Sequence, residues 1–113
     1  PLLPIQLQRL ARRISIGIGR AGTPSGNNSG DIFLAFSTAN PAPDAENGKD
    51  GVQRLDYVPH EILDPVFTAV VESVDEAVIN ALVAAEDMTG RDGHFVSAID
   101  HAELKEVMAS YAM

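Results

Sequence analysis

This sequence predicts an α/β fold whose sheet is not complete within its own residues. Three observations carry that expectation. Apolar residues recur at helical spacing in three segments. One continuous apolar run, IFLAFST at 32–38, has the length and composition of a strand covered on both faces. Only one weak candidate, VQRLDYV at 52–58, stands ready to pair with it. A lone strand leaves unpaired N–H and C=O groups along both edges. Companion strands are therefore expected from another polypeptide or from residues outside this sequence. An all-α bundle that holds IFLAFST as a buried extended segment is the alternative.

The elements follow in order. Leu3, Leu7, Leu10, Ala11, Ile14 and Ile18 share one helical face. Pro4 is tolerated only in a first turn, so the spacing predicts a helix from about Pro4 to Ile16, ended by Gly17 and Gly19. Gln8, Arg9, Arg12 and Arg13 take its wet face, and the cations suit the negative end of the helix dipole. Residues 20–30, RAGTPSGNNSG, form a loop rich in Gly, Pro, Ser and Asn. Asp31 leads into the strand. Residues 40–59 carry three prolines and two glycines, and read as a long irregular connection. Asp64 is a good helix N-cap and Pro65 fits the first turn. A stripe from Phe67 through Val70, Val74, Val78 and Leu82 to Ala85 predicts a long helix, stopped at Met88-Thr89-Gly90. TGRDGH at 89–94 is a turn. Asp100, with Glu103 three residues on, caps a last helix whose expected buried side is Leu104, Val107, Met108 and Tyr111.

A chain of 113 residues is a single domain at most, here read as residues 1–113 without an internal linker. Its net charge of −8 and pI near 4.6 argue against nucleic acid or an anionic membrane surface as partners. No apolar run approaches the roughly 20 residues of a membrane span, and no secretory signal pattern is visible. With no cysteine there is neither a disulfide framework nor a thiolate zinc site, and the compartment stays open, with the cytoplasm favoured. A hydrophobic share of 45% supports a packed core, and only 5% aromatics means Val, Ile, Leu and Ala build it.

Several motifs compete with plainer readings. Gly17-Ile18-Gly19-Arg20-Ala21-Gly22 matches G-x-G-x-x-G, but it follows a helix and opens a loop, so C-capping explains it better than a dinucleotide. His60, His94 and His101 lack the spacing of a helical zinc motif and read as surface or capping residues. Asn27-Asn28-Ser29 is formally a glycosylation sequon. Ser29 and Asp31 are ordinary turn residues at the start of a strand. They are also a hydroxyl and a carboxylate at i and i+2, which point the same way along an extended chain. Such a pair can orient and pass a proton beside a nucleophile. No G-x-S-x-G elbow or local Ser-His-Asp order accompanies them.

LLPIQLQRLARR, then GIGRAGTPSGNNSGDIFLAFSTAN, then the long Val/Ala helix together resemble the smaller subunit of the L-aminopeptidase/D-amino-acid esterase family, which includes the β-peptidyl aminopeptidases. The resemblance implies a four-layer α/β/β/α sandwich completed by a partner chain. It implies a precursor that cleaves itself into a larger and a smaller subunit, freeing a serine nucleophile at the start of the smaller one. The partners implied are that larger subunit, further copies of the subunit pair, and a short peptide, amide or ester substrate. No metal or organic cofactor is implied. A second serine and an acidic residue two positions later assist the nucleophile, and they fall on Ser29 and Asp31. Many relatives carry Glu at the second position, so Asp31 reaches about one methylene less far. Family small subunits begin with the nucleophile and a β-branched strand about ten residues ahead of the position of Pro1. Pro1 has a secondary amine and no hydroxyl, so it is no substitute, and this chain alone is expected to be inactive. A non-catalytic structural or binding subunit, and an acyltransferase of similar fold, remain the rival readings.

Overall fold

In a computed structural model of the chain, residues 1–40, 51–52 and 55–111 are described. Their elements run α1 (Pro4–Arg20), α2 (Asp64–Ala84), β1 (Met88–Thr89), β2 (Phe95–Val96) and α3 (His101–Tyr111). Short 3₁₀ turns at His60–Ile62 and Arg91–Gly93 precede α2 and join the two strands. The described residues group into two units, Pro1–Asp75 and Glu76–Met113.

In the first unit, α1 starts where Pro4 permits and runs one turn beyond the expected end, to Arg20. Gly17 and Gly19 do not stop it. Gly17 is buried and faces α2. A Cβ there would lie 2.7 Å from Val74 Cβ and 2.8 Å from the Val71 carbonyl oxygen. The glycine is a point of close helix approach, not a terminator. Gly22 ends the helix instead: its φ of 94° is left-handed, and its N–H donates to the Gly19 carbonyl. Leu10, Leu63 and Phe67 form the buried centre, with Leu2, Ala35, Val58, Val66 and Val70 packed against it.

Residues 31–37 adopt no regular element, and among the described residues no backbone hydrogen bond joins them to another segment. Burial alternates along them. Phe33, Ala35 and Ser37 are half-buried, whereas Ile32, Leu34 and Phe36 are 92%, 80% and 76% exposed. The alternation is that of an extended chain with one face covered. The second face, which the apolar run also equips for burial, has nothing against it among the described residues. Beside this segment, Leu2, Leu7, Leu10, Ile14 and Val70 line an open apolar groove of about 310 Å³. The weak strand expected at 52–58 does not form at residues 55–58, which have no regular structure; residues 53–54, and 41–50 of the preceding connection, lie outside the described residues.

α2 begins at Asp64 as expected and stops at Ala84, four residues short of the expected end. Met88–Thr89 belongs to a strand: it pairs antiparallel with Phe95–Val96, in the register Met88 with Val96 and Thr89 with Phe95. The TGRDGH turn closes this hairpin, with Asp92 and Gly93 at positive φ and Gly90 N–H donating to the His94 carbonyl at 2.7 Å. α3 is capped by Asp100, whose Oδ1 accepts from Ala102 N–H at 2.7 Å and Glu103 N–H at 3.2 Å. Of the expected buried side of α3 only Leu104 is half-buried among the described residues, whereas Val107, Met108 and Tyr111 are 46%, 62% and 81% exposed. Helical spacing marks which residues share a face, but only a neighbouring element can cover that face. No helix among the described residues is long and apolar enough to cross a membrane.

Candidate functional site

The loop after α1 delivers the candidate pair. Ser25 adopts a φ of 53°, and Ser29 N–H closes a turn on the Gly26 carbonyl at 2.8 Å. The turn sets Ser29 at the head of the 31–37 segment. Ser29 Oγ then donates to Asp31 Oδ2 at 2.7 Å. The i, i+2 geometry expected of an extended chain is thus realised as a direct, short, charge-assisted contact. The shorter acid is no obstacle to the bond. Both residues are exposed, and positions 29 and 31 share the parity of Phe33, Ala35 and Ser37, not that of Ile32, Leu34 and Phe36.

A second polar constellation escaped sequence reasoning. Gln6 is fully buried. Its Oε1 accepts from Leu3 N–H at 2.8 Å, capping α1, while Nε2 donates to the Val58 carbonyl at 2.6 Å. Val58 N–H donates in turn to the Pro1 carbonyl at 3.0 Å. Two residues earlier, the Asn40 side chain clasps the Asp56 backbone: Nδ2 donates to the Asp56 carbonyl at 2.9 Å and Oδ1 accepts from Asp56 N–H at 3.0 Å. Residues 56–58 therefore hold the start of the chain, the first turn of α1 and Asn40, which closes the bend that follows the 31–37 segment. A glutamine in the third position of a Pro-led helix was the one available signal of this capping role.

The histidines are dispersed. His60 Nδ1 lies 3.4 Å from Arg9 Nη1 and 3.5 Å from Gln6 Nε2, and His101 Nε2 lies 3.0 Å from the Val83 carbonyl. His94 joins the hairpin turn through its backbone. No group of three or more metal-ligating side chains gathers among the described residues. Of the arginines expected on the wet face of α1, two cover the core instead: the Arg13 and Arg9 guanidinium carbons stand 3.4 and 4.9 Å from the centre of the Phe67 ring.

The pattern of peptidase family S58 matches residues 1–96. The chain is 41% identical over 111 residues to the β-peptidyl aminopeptidase BapA of Sphingosinicella microcystinivorans, covering 98% of this chain and 28% of that protein. Among solved structures, the L-aminopeptidase D-Ala-esterase/amidase of Ochrobactrum anthropi, described as a prototype of the serine aminopeptidases and a variant of the Ntn-hydrolase fold, is 55% identical with a TM-score of 0.85. It is matched over 98% of this chain and 31% of its own. The PH0078 protein of Pyrococcus horikoshii OT3 is 40% identical with a TM-score of 0.88, over 100% of this chain and 31% of that one. The chain thus spans about a third or less of the length of these relatives and shares the fold of that portion. With a family match over residues 1–96, the chain belongs to peptidase family S58.

Proposed function

We propose that this chain is the smaller-subunit portion of a serine aminopeptidase of the N-terminal-nucleophile type. The complete protein removes N-terminal residues from short peptides, amides or esters through an acyl-enzyme. The observation that carries this reading is the 2.7 Å Ser29–Asp31 hydrogen bond at the head of an apolar segment that has no strand partner among the described residues, in a chain of family S58. The uncovered face of Ile32, Leu34 and Phe36, and the apolar groove beside it, support companion strands and a larger subunit from the same precursor.

In this reading the nucleophile is a serine freed by self-cleavage about ten residues ahead of the position of Pro1, as the family resemblance implies. Its hydroxyl attacks the substrate acyl carbon. The hydroxyl proton passes to its own α-amine, or to Ser29 as Ser29 hands its own proton to Asp31. The proton then goes to the leaving amine or alcohol as the acyl bond breaks. Donors outside this chain stabilise the oxyanion. Water resolves the ester, and the same groups take up its proton. The chemistry calls for neither a metal nor an organic cofactor, and the cytoplasm is the compartment favoured for it.

Hydrolysis of an amino-acid p-nitroanilide by the full-length processed protein tests the reading. Ser29→Ala should lower turnover roughly 100-fold or more, the scale of a lost general acid–base group. Unchanged turnover in a correctly assembled variant removes Ser29 from the chemistry. Acetyl transfer to glutamate without hydrolysis would favour the acyltransferase alternative.

A further inference from the structure

The Asn40 side chain does what a neighbouring strand normally does: it satisfies both the N–H and the C=O of one residue, Asp56. It sits at the far end of the segment that Ser29 and Asp31 head. Among the described residues that segment has no ladder to hold it lengthwise, so the clasp is its visible anchor within the chain. The anchor is itself fixed, since Val58 is held by the Pro1 carbonyl and by buried Gln6. Residues 56–58 thus form a bracket with two attachments of like parity, Asn40 on Asp56 and Pro1 on Val58.

We propose that Asn40 is a positioning residue, and that the 56–58 bracket aligns the Ser29–Asp31 pair with the segment that leads into Pro1. This rests on the proposed function, in which the nucleophile lies at the far end of that leading segment. Ser29 precedes Asn40 by 11 residues, and the nucleophile would precede Pro1 by about ten. The arm from the bracket to Ser29 bends at residues 38–40 and is extended over residues 31–37, about 23 Å at about 3.3 Å per residue. An extended segment that loses its end anchor shifts along its own length. Loosening the clasp therefore misplaces Ser29 and Asp31 without touching either.

The test is steady-state hydrolysis of an amino-acid p-nitroanilide by the complete processed protein and by Asn40→Ala and Asn40→Asp. Titration to completion with an irreversible serine-directed inactivator counts competent sites. Asn40→Ala should lose roughly 10- to 100-fold in kcat per competent site, the scale of a reacting group displaced by about 1 Å, with KM changed less than about twofold. Asn40→Asp accepts from Asp56 N–H at every pH but donates to the Asp56 carbonyl only when protonated. Its activity relative to wild type should rise as the pH falls towards the ordinary carboxylate range, about 4. A residue that only supports folding would lower the number of competent sites and the melting temperature, and leave kcat per site and this pH ratio flat. That flat result overturns the inference, and Asn40→Asp alone decides it if Asn40→Ala fails to fold. A wild-type protein that hydrolyses no amino-acid p-nitroanilide would overturn the proposed function itself.

Discussion

Replacing Gly17 by Ala isolates the contact that sets how closely α1 approaches α2. In an open helix interior the change is favourable, because Ala is better than Gly by about 1 kcal/mol. Here the added methyl would stand 2.7 Å from Val74 Cβ, 2.8 Å from the Val71 carbonyl oxygen and 2.9 Å from Val74 Cγ1. Ordinary contact begins at 3.4 Å, so relief needs roughly 0.7 Å of separation. Two of the three obstacles are fixed to the backbone of α2, so no side-chain rotation provides it. Opening the seam by that much forfeits about a quarter to a half of each dispersion contact along it. Overpacking of this kind costs about 1–3 kcal/mol, and the steepness of the overlap places Gly17 at the upper end. After the helix-propensity gain, Gly17→Ala should lose about 1–2 kcal/mol. Gly19, two residues on in the same helix, has nothing within 4 Å of a Cβ and should gain about 0.5–1 kcal/mol as Ala. Denaturant melts of the two variants and the parent, compared at constant m-value, measure the difference. A Gly17→Ala protein as stable as Gly19→Ala would refute the account of the helix seam.

The other expectations are simpler. Gln6→Leu leaves Leu3 N–H and the Val58 carbonyl without partners and should cost about 2–6 kcal/mol in the same melts, since each unsatisfied group costs about 1–3. Phe67→Leu keeps apolar volume at the core but removes the ring beneath Arg9 and Arg13; it should cost less than Phe67→Ala, which loses about 3–5 kcal/mol through the cavity as well. Bonds from the Glu103 and then the Ala102 N–H hold the Asp100 carboxyl below its usual value. The depressed value means that the capped form is favoured above the unfolded carboxylate pKa, near 3.9, and weakens as the pH falls through the folded one. Amide protection at Ala102 and Glu103, taken relative to the intrinsic exchange rate at each pH, should fall across that window in the parent and stay level in Asp100→Asn, which retains a capping oxygen; equal profiles in the two would remove the carboxylate from the cap.

Local chemistry was legible wherever a few consecutive residues decide the outcome. Pro4 started α1, Asp64 and Pro65 started α2, and Asp100 capped α3 at the expected places. Ser29 and Asp31 met because their separation of two residues on an extended chain leaves little else for the hydroxyl to do. The family, too, was readable, since the order of segments around NNSGDIFLAFSTAN is distinctive. Helix ends without strong stops were less so. The stripe of α2 continues past Ala84, yet Met88 and Thr89 gain more by pairing with Val96 and Phe95 across a turn.

By itself the amino-acid order determined the helical faces, the caps, the apolar run of 32–38 and the proximity of Ser29 to Asp31, because each depends on rotations about neighbouring bonds. Tertiary structure decided the rest. Gly17 is a seam residue only because Val71 and Val74 lie opposite it. Gln6 is buried only because Val58, 52 residues away, returns to accept its proton. Asn40 and Asp56 meet across 16 positions whose composition says nothing of the encounter. Partners distant along the chain are chosen by how whole elements pack, and no local periodicity carries that choice.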